Sequence, residues 1–238
     1  MNNTTIITII RNRNSIFVHT LPNWLQFDIP IIIVDWRDDG CERAYDVVRN
    51  HLGKIRLIET QYEYMFHKEL ALNLAISQVK TDNFIVLDVD YILDRNFFEM
   101  NVLGDNEVIT AHGQGSLSGL MYCKKQYADA IGRYNENLPY WGFADTDFFV
   151  RLRDNGISSR RAVGAEHRPH PVEMSIENQF KWCKRKGCNV EHIKRTTWHA
   201  NRDIAKLIVW DASIPHVQWD LKEIAPSVFL AVRKFIKE

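Results

Sequence analysis

The chain has 238 residues, 45% hydrophobic and 11% aromatic, which is enough apolar material to core one large α/β domain. Thirty basic and thirty acidic side chains cancel, removing the electrostatic case for a nucleic-acid partner. No apolar stretch approaches the roughly 20 residues of a membrane span, and Met1–Thr5 lacks the features of a secretory signal, so the expected compartment is the cytoplasm.

In chain order, Thr5–Ile10 is a β-branched run that stops at Arg11-Asn12-Arg13-Asn14. Ile29–Val34 is a second run, with Pro30 near its start and the polar stretch Asp35–Gly40 at its end; Lys54–Glu59 is a shorter third. Residues 66–79 change to helical spacing, with Leu70 and Leu74, and Ala71 and Ala75, recurring at i, i+4. Thr81-Asp82-Asn83 breaks that helix and leads into Phe84-Ile85-Val86-Leu87, read as a central parallel strand. Strands alternating with helices predict an α/β fold with a mostly parallel central sheet flanked by helices.

Further along, Glu107–Ala111 and Leu120–Cys123 read as strands around the turn His112–Gly115. Asp147–Asn155 reads as a helix, with Phe148, Phe149 and Leu152 on one side and Gly156 as its stop. Residues 172–238 carry helices and the apolar run Leu207–Trp210. At the end, Ile224–Ile236 puts Ile224, Val228, Ala231, Val232 and Phe235 on one helical face, with Lys222, Arg233, Lys234 and Lys237 beside it. That pattern predicts a helix packed on the core, with a peripheral membrane-surface helix as the alternative. No repeat, low-complexity tract or linker divides the chain, so residues 1–238 are expected to form a single domain.

The chemistry concentrates at Leu87-Asp88-Val89-Asp90. Two carboxylates one residue apart at the tip of a buried strand are costly to desolvate unless a cation sits there. Hard oxygen ligands of this kind suit magnesium or manganese held together with substrate phosphates. As a bare pattern D-x-D is common, and two loop aspartates capping the next helix is its ordinary reading. The apolar residues on both sides, Phe84–Leu87 and Tyr91-Ile92-Leu93, argue against a freely solvated loop. A second acidic cluster, Ala144-Asp145-Thr146-Asp147, follows Tyr140-Trp141-Gly142-Phe143.

Together these motifs resemble the GT-A fold glycosyltransferases. The Leu87–Asp90 strand is similar to their D-x-D metal site, and Ile33-Val34-Asp35-Trp36 to the V-D-x element of family 2 transferases. Trp141–Asp147 followed by Arg151-Leu152 resembles the W-G-G-E-D-x-D…R-L signature of the β-1,4-galactosyltransferase and chondroitin-polymerase group. Ile10–Arg13 is similar to that group's F-R-N-R element, and Phe66-His67-Lys68 with Leu72-Asn73 to its F-N-R…L-N helix start. The matches keep their order over about residues 5–170.

The resemblance implies a metal-dependent inverting transferase that moves a sugar from a nucleoside-diphosphate sugar, a UDP-sugar by preference, to a glycan or lipid-linked acceptor. It implies Mn2+ or Mg2+ as the cofactor. Residues 1–111 would form the nucleotide-sugar-binding half, 112–200 the acceptor and catalytic half, and 201–238 a C-terminal extension with helical character. By the same resemblance, Arg11, Arg13, Asp35, Phe66, Lys68 and Asp88 would line the nucleotide-sugar pocket. Trp141 and Gly142 would meet the sugar and acceptor, Asp145 would be the catalytic base, and Asp90 would hold the metal with His167, or with His170 as the alternative. The group's glutamate before the base is Ala144 here, and its glycine pair is Gly142-Phe143, which leaves the acceptor's identity open.

Two other readings compete. A nucleotidyltransferase also uses paired aspartates, but it needs a glycine- and lysine-rich loop after the first strand, and Arg11–Asn14 is not one. A non-catalytic sugar- or nucleotide-binding module would keep the fold without turnover. Cys183, Cys188, His192 and His199 match no common zinc spacing, and Gly113-x-Gly115 lacks the setting of a dinucleotide loop.

Overall fold

The computed structural model describes residues 3–37, 40, 42–61, 66–111, 119–138, 142–170, 190–211, 213 and 217–234, and for 190–194 the backbone only. The four expected leading strands are present as β1 (Thr4–Ile10), β2 (Ile31–Asp35), β3 (Ile55–Thr60) and β4 (Asn83–Val86). They run parallel in the order β3-β2-β1-β4, with Ile10 opposite Asp35 and Asp35 opposite Glu59. Because they point the same way, Arg11, Asp35, Glu59 and Asp88 all emerge at one edge of the sheet. The carboxyl edge of an open α/β sheet is where ligands dock.

Side chains alternate between the two faces, as strand geometry requires. Ile7, Ile9, Ile32, Val34 and Ile58 pack under helix α3 (Lys68–Ser77), while Ile6, Ile10, Ile31, Ile33 and Leu57 pack under α1 (Asn14–Leu25). Both faces are covered, so the strands read as nearly continuous apolar runs.

The sequence reading did not anticipate α1. Its buried residues Ile16, Phe17, Thr20, Leu21 and Trp24 follow helical spacing, but Pro22 lies inside the helix and the polar Arg11–Asn14 stretch leads into it. This helix pins the segment that carries the paired aspartates. Thr20 Oγ1 donates to the Val89 carbonyl, Trp24 Nε1 donates to the Tyr91 carbonyl at 2.9 Å, and Asn23 exchanges two 2.9 Å hydrogen bonds with the Leu93 backbone.

Short helices α2 (Tyr45–Val48) and α4 (Phe97–Met100) interrupt the loops, and β5 (Tyr91–Leu93) follows the aspartates directly. Strands β6 (Glu107–Thr110), β7 (Met121–Lys124) and β8 (Ser158–Arg161) extend the sheet beyond β4, with β7 antiparallel to both of its neighbours. Helices α5 (Lys125–Ala130) and α6 (Ala144–Asp154) come between them. The second of these matches the expected helix, and Gly156 at φ +78° ends it as predicted. Strand β9 (Ala165–His167) pairs antiparallel with β5 in a separate two-stranded sheet. Helix α7 (Val190–Leu207) then crosses residue 200, where the sequence reading placed the start of the extension.

The expected helix at Ile224–Ile236 is corrected by the structure. Residues 218–234 form a β-hairpin, β10 (Gln218–Ala225) and β11 (Val228–Lys234), whose second strand adds parallel to β3. Val228 and Ala231 are the buried positions of β11, a three-residue spacing that imitates a helical face. Pro226 and Ser227, the latter at φ +62°, make the turn. The amphipathic helix that would have lain on a membrane is therefore not formed, and no described helix is long and apolar enough to cross one. With the hairpin, the main sheet has nine strands among the described residues, in the order β10-β11-β3-β2-β1-β4-β7-β6-β8.

Candidate active site

Asp90 is buried at 3% exposure just past the end of β4. One of its oxygens, Oδ2, collects three cationic or cation-capable groups: Arg13 Nη1 at 3.0 Å, His170 Nε2 at 2.9 Å and His167 Nε2 at 3.6 Å. The other, Oδ1, is buried without a hydrogen-bond partner. Burial and the charge of Asp88 raise the carboxyl's pKa, while Arg13, His167 and His170 pull it back.

The β5–β9 pairing delivers the histidines. Tyr91 lies opposite His167 in that ladder, and the Arg168 amide donates to the Asp90 carbonyl at 2.7 Å. The three side chains Asp90, His167 and His170 bring one ligand atom each to within 4.8 Å of one another. His167 and His170, alternatives in the sequence reading, are both at this point. The fit to a divalent cation is good: Asp90 Oδ2 faces two imidazole nitrogens, and its Oδ1 is buried without a hydrogen-bond partner.

Asp88 is half-buried beside this cluster. Tyr91 Oη donates to its Oδ2 at 3.1 Å and accepts from the Gly119 amide at 3.2 Å. Asp35 ends β2 with 1% exposure; it accepts the Ala44 amide at 2.8 Å on Oδ2, and its Oδ1 is buried without a partner. Burial is the largest cause that raises its pKa, to about 7, against the Ala44 hydrogen bond and the Arg37 charge. The neighbouring Glu59 is buried under Arg37 and Arg43, the latter bidentate at 3.0 Å. Arg11 is buried at the end of β1. Phe66 packs edge-on against Trp36, with centroids 6.5 Å apart.

Asp145 sits in the first turn of α6 and is held by Lys68, whose Nζ is 3.1 Å from Oδ1 and 3.0 Å from Oδ2. Burial alone would lower the Lys68 pKa, but Asp145 and Asp88 raise it overall and keep the ammonium charged. Before this turn the backbone is left-handed at Gly142 (φ +90°) and at Phe143 (φ +70°), the second an unusual conformation for a bulky residue. Helix α7 clamps this turn. Asn201 Nδ2 donates to the Gly142 carbonyl at 2.8 Å, and the Trp198 ring meets Phe143 edge-on at 5.2 Å. A β-carbon on Gly142 would come within 2.8 Å of Trp198 Cδ1, so the close approach requires glycine there.

Trp141 lies outside the described residues, as do Gly113, Gly115, Cys183 and Cys188. The residues that sequence reasoning missed are Tyr91, Gly119, Arg37, Arg43, Glu59, Trp198 and Asn201. Most reach the site through pairings distant in sequence. Tyr91 is the exception, since it follows the paired aspartates directly.

Compared with solved structures, this architecture is similar to a Drosophila β-1,4-galactosyltransferase 7 mutant complexed with manganese, UDP-Gal and xylobiose. The TM-score is 0.61 at 12% identity, over 99% of this chain and 94% of that one. The fold is that of the GT-A glycosyltransferases. The GT-A neighbours include GalNAc-T7 with UDP, GalNAc and Mn2+, at TM-score 0.60 and 9% identity over 87% of this chain and 52% of that one. S. aureus TarS matches at TM-score 0.54 and 14% identity, over 74% of this chain and 38% of that one. No protein-family profile and no curated protein matches the sequence.

Proposed function

We propose that the protein is a metal-dependent inverting glycosyltransferase that moves a sugar from a nucleoside-diphosphate sugar, of UDP type, to a hydroxyl of a glycan or glycolipid acceptor. The observation that carries this reading is the convergence of His167, His170 and Arg13 on Asp90 at the carboxyl edge of the sheet. The fold neighbours bound to manganese with UDP or UDP-Gal support it.

In this reading Asp90, His167 and His170 hold the cation, and two imidazoles favour manganese over the oxygen-seeking magnesium. When bound, the ion supplies charge stabilisation for the departing diphosphate. Arg11 and Arg13 add charge-assisted hydrogen bonds to phosphate oxygens. Asp35 presents its unpartnered Oδ1 to an N–H on the base edge, and Asp88 stands at the ribose, oriented by the Tyr91 hydroxyl. Phe66, backed by Trp36, packs on the base, while Gly142 and Trp141 border the sugar and acceptor.

Asp145 is the base. Its carboxylate takes the proton of the acceptor hydroxyl as that oxygen attacks the anomeric carbon, the bond to the diphosphate breaks, and the configuration inverts. A single carboxylate acting as base, with no second one placed as nucleophile in the reading, makes this one displacement. The decisive experiment supplies Mn2+ and a panel of UDP-sugars with candidate acceptors, then reads the product's anomeric configuration by proton NMR. Inversion supports the reading; retention, or no metal-dependent turnover or donor hydrolysis with any nucleotide-sugar, overturns it.

A further inference from the structure

The position of Lys68 adds a link between donor and acceptor chemistry. A general base must offer a lone pair to the acceptor hydroxyl at about 2.6–3.2 Å, yet both Asp145 oxygens here are 3.0–3.1 Å from one ammonium. The two side chains are only 24% exposed each, so either charge left alone would be poorly solvated. Lys68 is also the first residue of α3, and its charge interacts with Asp88 as well as Asp145. A lysine stem has four rotatable carbons, and its ammonium binds as a point charge that a multiply charged phosphate group attracts more strongly than one carboxylate does.

We propose that Lys68 is a positioning residue that couples donor binding to the base. It holds Asp145 while the cleft is empty and passes to the diphosphate when the nucleotide-sugar binds, leaving the carboxylate open to the acceptor hydroxyl. This rests on the transferase reading above. An acceptor that enters first meets a carboxylate whose charge is already countered by the ammonium, so proton removal waits for the donor.

The exchange makes a counter-intuitive prediction for binding. If Lys68 must leave Asp145 to reach the diphosphate, then removing that carboxylate's charge strengthens binding of the nucleoside diphosphate. Calorimetric titration of UDP with Mn2+ should show Asp145→Asn binding several-fold tighter than the unaltered protein, and Asp145→Ser shifted in the same direction. The gain should vanish when the pair Lys68→Met and Lys68→Met/Asp145→Asn is compared, which closes a double-mutant cycle. Uridine, which lacks phosphates, should show no gain, and Lys68→Arg should retain part of it for UDP. Equal or weaker UDP binding in both Asp145 variants, or a gain that survives without Lys68, overturns the coupling. Absence of any Mn2+-dependent UDP binding by the unaltered protein is a different result and overturns the transferase reading itself.

Discussion

Gly119 and Asp88 meet so closely that a β-carbon on Gly119 would lie 2.6 Å from Asp88 Oδ2 and 3.3 Å from Tyr91 Oη. The glycine is there because the backbone of β7's approach presses against the carboxylate that the Tyr91 hydroxyl holds. Gly119→Ala should therefore push Asp88 from its place and weaken UDP binding about tenfold, the cost of one charge-assisted hydrogen bond. Calorimetry checks it: an alanine variant with unaltered affinity would separate Asp88 from the ribose.

The three groups around Asp90 give a graded expectation. His167→Ala and His170→Ala should each weaken Mn2+ binding by at least about tenfold, and Asp90→Ala should abolish it, since loss of an outer-shell partner alone costs that much. Titration followed by manganese electron paramagnetic resonance reads the free ion directly. If one histidine proves indifferent, the cation is held by the other.

Removal of the proposed base has a separate signature. Asp145→Asn should reduce transfer by about 10²–10⁴-fold, the usual contribution of general-base catalysis, with the fold intact by circular dichroism. Turnover near the unaltered rate would take the proton elsewhere.

The α7 clamp makes a prediction about rigidity. Trp198→Ala removes the ring that covers Gly142 and Phe143 and should cost about 1–3 kcal/mol of stability. Transfer should fall more than Mn2+–UDP affinity, because the left-handed turn sets the proposed base and not the proposed phosphate ligands. Denaturant melts and paired binding and rate assays test the two parts.

Asp35 supplies the pH dependence. Its folded pKa is raised to about 7, so the folded protein binds a proton there that the unfolded chain releases near the ordinary carboxylate value. Stability therefore declines as pH rises from about 4 through about 7, by an amount on the order of a few kcal/mol. Glu69, raised by burial, adds in the same sense. An ionised Asp35 is the better acceptor for a base N–H, so UDP binding should strengthen over that interval. Asp35→Asn should flatten both curves in melting and titration series across pH 5–8.

Where local pattern and tertiary environment agree, the sequence was readable. β1, β2, β3 and β4 are apolar runs because both sheet faces are covered, and α3 repeats Leu70 and Leu74 at helical spacing although residues 69–76 are all buried. The paired aspartates were legible from their setting at a buried strand's end. Where the signal was mixed it misled. Pro22 obscured α1, and in β11 the burial of Val228 and Ala231 imitated a helix although Pro226-Ser227 marks a turn. The grip of Lys68 on Asp145, and of Trp198 on Gly142, joins residues far apart in sequence, so no local pattern announces it. Only the β5–β9 ladder explains why both histidines arrive together.

The hairpin at residues 218–234 has a kinetic implication. Its strand β11 is the neighbour of β3, and Trp219 meets Trp36, the ring that backs Phe66. The proposed donor pocket, whose strands lie in the first ninety residues, is thus flanked by strands synthesised long after them. During translation the outer side of β3 stays unpaired until the hairpin emerges, a long-range closure of the kind that slows folding and leaves β-edges open to chaperones.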